Sequence, residues 1–89
     1  MVVVRLDAML KAFTSRSRFD SEAPTVQALL EELEREAPRL RFKLRDETGA
    51  LRRYVRVFVD GEDVSQSAGL GRSLVGVRTV DILHSIAGG

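Results

Sequence analysis

Side chains able to perform enzymatic chemistry are scarce in this sequence and poorly spaced for it. The absence of cysteine excludes disulfides, thiolate nucleophiles and thiolate metal sites. The one histidine, His84, lies close to the C-terminus, where a Ser-His-Asp site rarely finds a buried base, so we expect an exposed side chain. Asp60, Glu62 and Asp63 lack calcium-loop spacing, and the glycine-rich 69–76 segment lacks the lysine of a phosphate-binding loop. These patterns indicate a solvated hairpin and a turn-forming loop, and we expect the chain not to be an enzyme.

The last two residues, Gly88 and Gly89, offer a different kind of chemistry. Without Cβ atoms, an extended Gly-Gly segment passes through a narrow channel, and its backbone can approach ATP closely. The reacting group is then the carboxylate of Gly89, which no side chain obstructs. A frayed chain end is the alternative interpretation.

A run of basic residues is the other candidate, and it suggests a nucleic-acid surface. The run consists of Arg39, Arg41, Lys43, Arg45, Arg52 and Arg53, with Leu40, Phe42 and Leu44 interleaved. The alternative is a solvated face that balances the acidic 31–36 stretch before it. A formal net charge of +1 favours that alternative, because nucleic-acid binders of this size usually carry a strong basic excess. We expect no nucleic-acid partner.

Size and composition describe one small globular domain. The chain has 89 residues, of which 44% are hydrophobic and 30% are charged, so it can bury one thin core. No apolar stretch is long enough to span a membrane, and the N-terminus does not resemble a signal peptide. These features predict a cytoplasmic protein with no membrane partner. They also predict a single domain over residues 1–89, with 84–89 as a flexible C-terminal tail.

Six segments have the pattern of a strand or a helix. Alternation predicts strands over 2–6, 54–59 and 79–83, a short strand over 18–21 and a return strand that starts at Glu62. Asp60-Gly61 is the preferred pair for a two-residue hairpin turn. An amphipathic helix begins after its N-cap residue Thr25 and ends before Pro38. Its apolar stripe consists of Val26, Leu29, Leu30, Leu33 and Ala37.

A lone amphipathic helix must bury its stripe against a sheet. The first and last strands are valine-rich enough to pair at the centre of that sheet. The predicted fold is therefore α+β, a ubiquitin-like β-grasp, with one main helix packed across one face of a mixed sheet of four to five strands. In this arrangement Val55, Val57 and Val59 face the helix, and the side chains between them face outward.

From residue 53 onward the chain resembles the ubiquitin-like sulfur carriers, the family of MoaD, ThiS and CysO, and it is most similar to the CysO-like branch. The residues that carry the resemblance are 54–64, Gly69-Leu70, 80–83 and Ala87-Gly88-Gly89, together with the predicted helix. The sequence departs from the family pattern at 75–78, where an acidic turn is usual, and at His84-Ser85, where proline is usual.

The resemblance implies a carrier that acts as a cosubstrate and binds no cofactor itself. An activating enzyme of the ubiquitin-activating (MoeB/ThiF-like) type would adenylate the Gly89 carboxylate with ATP and Mg²⁺. A sulfur donor would then displace AMP and leave a C-terminal thiocarboxylate. Ile86, Ala87 and Gly88 would thread the activating enzyme. The sulfur acceptor would be a PLP-dependent cysteine synthase-like enzyme or another synthase, so the product would be cysteine or another sulfur-containing metabolite.

Two alternatives share the same terminus, and a third does not use it. The chain could be a MoaD-like small subunit of molybdopterin synthase, or a ubiquitin-like modifier conjugated to lysines through Gly89. It could also be a β-grasp interaction module with an inert tail.

We also expect a docking surface on the outer face of the sheet. Phe58 would form it with Tyr54 and Leu83, and Arg56 would lie at its rim, because a large aromatic side chain is seldom left exposed without use. The alternative is that the 39–51 loop covers Phe58.

Overall fold

The computed structural model describes residues 1–65 and 67–84. Its strands are β1 (Val2–Leu6), β2 (Arg18–Ser21), β3 (Val55–Val59), β4 (Glu62–Asp63) and β5 (Thr79–His84), and its helices are α1 (Ala8–Lys11) and α2 (Val26–Glu36). Two 3₁₀ turns, Pro38–Leu40 and Ser67–Gly71, complete the regular structure of these residues. No described helix has the length and apolar character needed to cross a bilayer.

The described strands form one mixed sheet in the order β2-β1-β5-β3-β4. The first and last strands, β1 and β5, run parallel at its centre, and the other neighbouring pairs are antiparallel. A parallel pair needs a long crossover, and here the intervening chain carries α2 across one face. This arrangement confirms the β-grasp prediction, including the central pairing of the valine-rich strands.

The core lies between α2 and the inner face of the sheet. The stripe of α2 is buried as predicted, and so are alternate residues of β1 and β3. Leu10, which follows β1 in α1, and Leu74, which precedes β5, close two ends of this layer. Strand alternation and helix periodicity therefore identified most of the core without the tertiary structure.

Local hydrogen bonds explain where the main elements begin. The Thr25 hydroxyl accepts a hydrogen bond from the backbone N–H of Ala28 at 3.2 Å, as its predicted N-cap role requires. Asp60 and Gly61 have φ values of 48° and 87°, so both residues of the hairpin turn are left-handed. This pair turns the chain directly from β3 into β4.

Three boundaries differ from the prediction. His84 is the last residue of β5 rather than the first residue of a tail. Tyr54 lies in the turn before β3, which begins at Val55, and β4 ends at Asp63. Cross-strand pairing decides these boundaries, because Val55 pairs with His84 and the last residue of β4, Asp63, pairs with Phe58. A period-two pattern does not specify where such pairing stops.

Candidate functional site

The predicted reactive segment, Ile86, Ala87, Gly88 and Gly89, lies outside the described residues, so the structure locates its root. The root is His84, at the end of the central strand β5. Because β5 is hydrogen-bonded to a strand on each side, the chain leaves the sheet from a well-anchored position.

Asp7 holds the end of β5. One carboxylate oxygen, Oδ2, accepts the backbone N–H of His84 at 2.7 Å, and the other, Oδ1, accepts the N–H of Leu10 at 2.9 Å and thereby caps α1. The backbone N–H of Asp7 also donates to the carbonyl of Ile82 at 3.3 Å. A single side chain thus ties the end of β5 to the start of α1.

The prediction that His84 is exposed was wrong. The side chain is half-buried, and the ring centroids of His84 and Tyr54 lie 4.7 Å apart. Within the described residues, the buried Nδ1 atom of His84 has no hydrogen-bond partner. His84 is half-buried because its pairing with Val55 brings it beside the turn that holds Tyr54. The closeness of His84 to the C-terminus could not indicate this pairing.

Three of the four predicted docking residues lie together on the outer face of the sheet. Leu83 is exposed and lies opposite Arg56 in the β3–β5 register, and Phe58 is half-buried on the same face. Tyr54 instead packs partly against the core, and its ring contacts His84. The structure therefore brings Phe58, Leu83 and Arg56 together and places Tyr54 at the tail root.

The 39–51 segment does not bring its apolar side chains to the outer face. Leu40 and Leu44 are fully buried in the core beneath α2, and Leu51 packs against that core. Phe58 has Asp63 and Asp81 as its cross-strand neighbours on the opposite face of the sheet. This placement agrees with an outward Phe58.

The sequence did not reveal the charged side chains that lie around Phe58 and Leu83 on the outer face of the sheet. One row in register crosses the five strands: Arg18, Arg5, Asp81, Phe58 and Asp63. Arg5 binds the Asp81 carboxylate through two nitrogens, at 2.6 and 2.9 Å, and this hydrogen-bonded pair raises the pKa of Arg5. Arg56 lies 3.7 Å from the Asp63 carboxylate. Outward-facing opposite charges on the two paired central strands were the available signal, and only the register identified the partners.

The basic run is not a continuous nucleic-acid surface. Its interleaved leucines are in the core, whereas Phe42 is exposed with a left-handed backbone φ of 66°. Arg45 pairs with Glu34 of α2 through hydrogen bonds of 2.7 and 3.1 Å, and this contact raises the pKa of Arg45 against the opposing effect of burial. The ion pair agrees with the alternative that the run balances the acidic helix.

The described residues provide no cluster of three or more His, Cys, Asp or Glu side chains that could hold a metal ion. Asp60 and Asp63, which belonged to a possible acidic cluster in the sequence, serve the hairpin instead. Backbone N–H groups of Thr79 and Arg78 donate to Asp60 at 2.9 and 3.0 Å and hold the pKa of that carboxyl below its usual range. The pKa of Asp63 is lowered chiefly by hydrogen bonds from Ser65.

Comparison with known proteins identifies similar chains. The sequence model of the ThiS family matches residues 4–89. The sulfur carrier protein CysO of Mycobacterium tuberculosis is 30% identical over 91 residues, which cover 99% of this chain and 98% of CysO.

Solved structures agree with that match. A chain in the crystal structure of the Amycolatopsis orientalis BexX/CysO complex superposes with a TM-score of 0.84 at 28% identity, with complete coverage of both chains. Small archaeal modifier protein 1 (SAMP1) of Haloferax volcanii gives a TM-score of 0.78 at 23% identity, covering 99% of this chain and 98% of the modifier. The second likeness shows the shared fold alone.

Proposed function

Because this chain belongs to the ThiS family of ubiquitin-like sulfur carriers, we propose that its Gly89 carboxylate is adenylated and converted to a thiocarboxylate. The observation that carries the proposal is the family match, which extends through Gly88 and Gly89 at the end of the chain. The anchored root at His84 supports it, since in the sequence only three residues separate the end of the central strand from Gly88.

The reaction sequence follows from the chemistry of an acyl group. A carboxylate oxygen of Gly89 attacks the α-phosphorus of ATP in an activating enzyme and releases pyrophosphate. A sulfide-equivalent donor then attacks the acyl carbon, forming a C–S bond while the C–O bond to AMP breaks. A free carboxylate is a poor acyl donor, and AMP supplies the leaving group that makes this substitution feasible. Mg²⁺ and ATP belong to the activating enzyme.

The Gly-Gly segment suits the channel of such an enzyme. Ile86 and Ala87 would enter first, and the absence of Cβ atoms at Gly88 and Gly89 would let the backbone approach the nucleotide. The product is a nucleophilic sulfur on a protein carrier. We propose that it is delivered to an electrophile held by a second enzyme, as the likeness to CysO suggests, in the synthesis of cysteine or another sulfur-containing metabolite.

The outer face of the sheet is the proposed docking surface for the activating enzyme. Phe58 and Leu83 supply its apolar contacts, Arg56 lies at its rim, and Tyr54 adjoins the tail root. The Amycolatopsis relative was crystallised in a complex, which supports a family whose members dock onto protein partners. The ion pairs of Arg5 and Arg56 would then determine which partner surfaces fit this face.

Intact-mass spectrometry tests the proposed chemistry. The protein, incubated with an activating enzyme, ATP, Mg²⁺ and a sulfide source, is expected to gain about 16 Da as oxygen is replaced by sulfur. Omitting ATP is the control and should leave the mass unchanged. Ladders of larger protein adducts would instead indicate a modifier conjugated through Gly89, and an unchanged mass with active enzymes would contradict the carrier proposal.

A further inference from the structure

Two cations share one aromatic ring on the surface beside α1. Lys43 Nζ lies 4.8 Å from the centroid of the Phe13 ring, and Arg39 Cζ lies 5.8 Å from it. Phe13 itself is half-buried and packs against the core, so its position is stable. Lys11, at the end of α1, precedes it by two residues. We call Lys11, Phe13, Arg39 and Lys43 the Phe13 surface.

The cations of the Phe13 surface lack carboxylate partners within the described part of the chain. The ion pairs formed there use Arg5, Arg16, Arg45, Arg56 and Arg72. Lys11, Arg39 and Lys43 are all exposed. Because the whole chain has a formal net charge of +1, this surface is a local excess of positive charge rather than part of a generally basic protein.

The Phe13 surface lies at the end of the sheet where the chain leaves β5. On one side, α1 starts at Asp7, whose carboxylate binds the N–H of His84. On the other side, Lys43 is followed by Leu44, whose carbonyl accepts the N–H of Arg52 at 2.9 Å.

The hydrogen bonds that start beside Lys43 also lead to the tail root at His84. The Arg52 carbonyl accepts the N–H of Val55 at 2.9 Å, and Val55 is the cross-strand partner of His84. Both flanks of the Phe13 surface are therefore tied by hydrogen bonds to the tail root. An enzyme that takes in the tail must approach this end of the molecule.

We propose that the Phe13 surface binds an acidic surface of the activating enzyme beside the channel that receives the tail. This inference rests on the proposed function and adds a second contact area, separate from the outer face of the sheet. The occupant follows from charge complementarity, because unpaired, exposed cations attract an oppositely charged partner. A protein surface is favoured over nucleic acid because the excess is confined to a few side chains and the leucines of the basic run are buried.

A charge-reversal experiment with a matched control tests this proposal. The test variant carries Arg39→Glu and Lys43→Glu. The control carries Arg35→Glu and Arg78→Glu, at exposed positions without ion pairs in the described residues, so both variants change net charge equally. Stopped-flow association with an activating enzyme is measured at about 50 mM and about 500 mM salt, where screening differs strongly.

The test variant is expected to associate about tenfold more slowly than wild type at low salt, and the difference should shrink at high salt. The control should stay within about twofold of wild type, since Arg35 and Arg78 do not contact the Phe13 ring as Arg39 and Lys43 do. Thermal melts of both proteins verify folding. If the test variant does not fold, a variant with Arg39→Gln and Lys43→Gln replaces it. The expected decrease in the logarithm of its association rate is about half as large.

Several results would overturn the inference. If wild type forms the thiocarboxylate but the test and control variants associate equally fast, the Phe13 surface makes no contact and the proposed function stands. If wild type is never adenylated, the proposed function fails and this inference fails with it. Binding of a short single-stranded RNA by wild type, lost in the test variant, would assign the surface to nucleic acid instead.

Discussion

The Asp7 carboxylate accepts the backbone N–H of His84 at 2.7 Å, a contact between residues near opposite ends of the sequence. The same side chain caps α1 through the N–H of Leu10. Asp7 therefore links the helix that follows the first strand to the last described residue of the last strand. In a sulfur carrier, this contact would set the point from which the reactive tail departs.

Replacing Asp7 tests that link. We expect Asp7→Ala to reduce the free energy of unfolding by about 1–2 kcal/mol, because it removes the N-cap acceptor of α1. Hydrogen exchange at the His84 amide should accelerate more than exchange at Ile82, which lies within the β5 ladder. Asp7→Asn retains one acceptor oxygen and serves as the milder control. Unchanged exchange at His84 in Asp7→Ala would show that the carboxylate does not hold the end of β5.

Phe58 and Val57 are neighbours in β3 that face opposite sides of the sheet. Val57 is fully buried, so Val57→Ala should lower the free energy of unfolding by about 1.5–3 kcal/mol through lost burial and a residual cavity. Phe58→Ala should cost little stability but weaken binding to the activating enzyme by about 1–3 kcal/mol. Thermal melts and calorimetric titration measure the two effects. Equal destabilisation by both substitutions would mean that Phe58 serves packing rather than docking.

Gly69 is a position where the chain leaves no room for a side chain. A Cβ built there would lie 1.6 Å from the carbonyl oxygen of Val64, which is backbone and cannot rotate away. We expect Gly69→Ala to destabilise the fold by about 1–3 kcal/mol, the usual cost of overpacking. Gly71→Ala is the matched control, because nothing lies within 4 Å of its Cβ and its φ is not left-handed. Urea denaturation compares the two, and equal midpoints would contradict the close approach.

Asp60 predicts a specific dependence of stability on pH. Its pKa is lowered in the folded state, chiefly by the backbone N–H of Thr79, so the charged carboxylate is favoured by folding. The charged Asp60 carboxylate therefore stabilises the fold at pH values above 3.8, the ordinary pKa of the group. This stabilisation is lost as the pH falls through the lower pKa that Asp60 has in the folded state.

Asp60→Asn removes the charge while remaining compatible with a left-handed φ of 48°. We expect this variant to be less stable than wild type at neutral pH and to approach wild type in acid. Thermal midpoints measured from neutral pH down to about pH 2.5 test this. A stability gap that stays constant across that range would exclude a contribution from the Asp60 charge.

Removing Gly89 separates the chemistry from the fold. The described core ends at Ile82, so the deletion should leave the thermal midpoint unchanged. It should abolish ATP–pyrophosphate exchange with the activating enzyme, because the reacting carboxylate is withdrawn from the nucleotide by one residue. Extension of the chain beyond Gly89 should have the same effect. Undiminished exchange by the shortened protein would contradict the proposed role of Gly89.

Local patterns were sufficient for most of the architecture and for the proposed chemistry. The stripe of α2, the alternation of Val55, Val57 and Val59, and the Asp60-Gly61 turn predicted the elements because helix and strand periods are local properties. Gly88 and Gly89 indicated acyl chemistry because the absence of a Cβ is a property of the residue itself.

Contacts between distant segments were decided only by the tertiary structure. Asp7 and His84, Arg5 and Asp81, and the cations around Phe13 meet because β1 and β5 pair in parallel at the centre of the sheet and the 39–44 segment folds back beside α1. Register and loop placement depend on the packing of the whole core, which no local period encodes. The sequence by itself therefore determined the elements and supplied the Gly-Gly segment on which the proposed chemistry rests, while the tertiary structure decided how the end of β5 is anchored at His84.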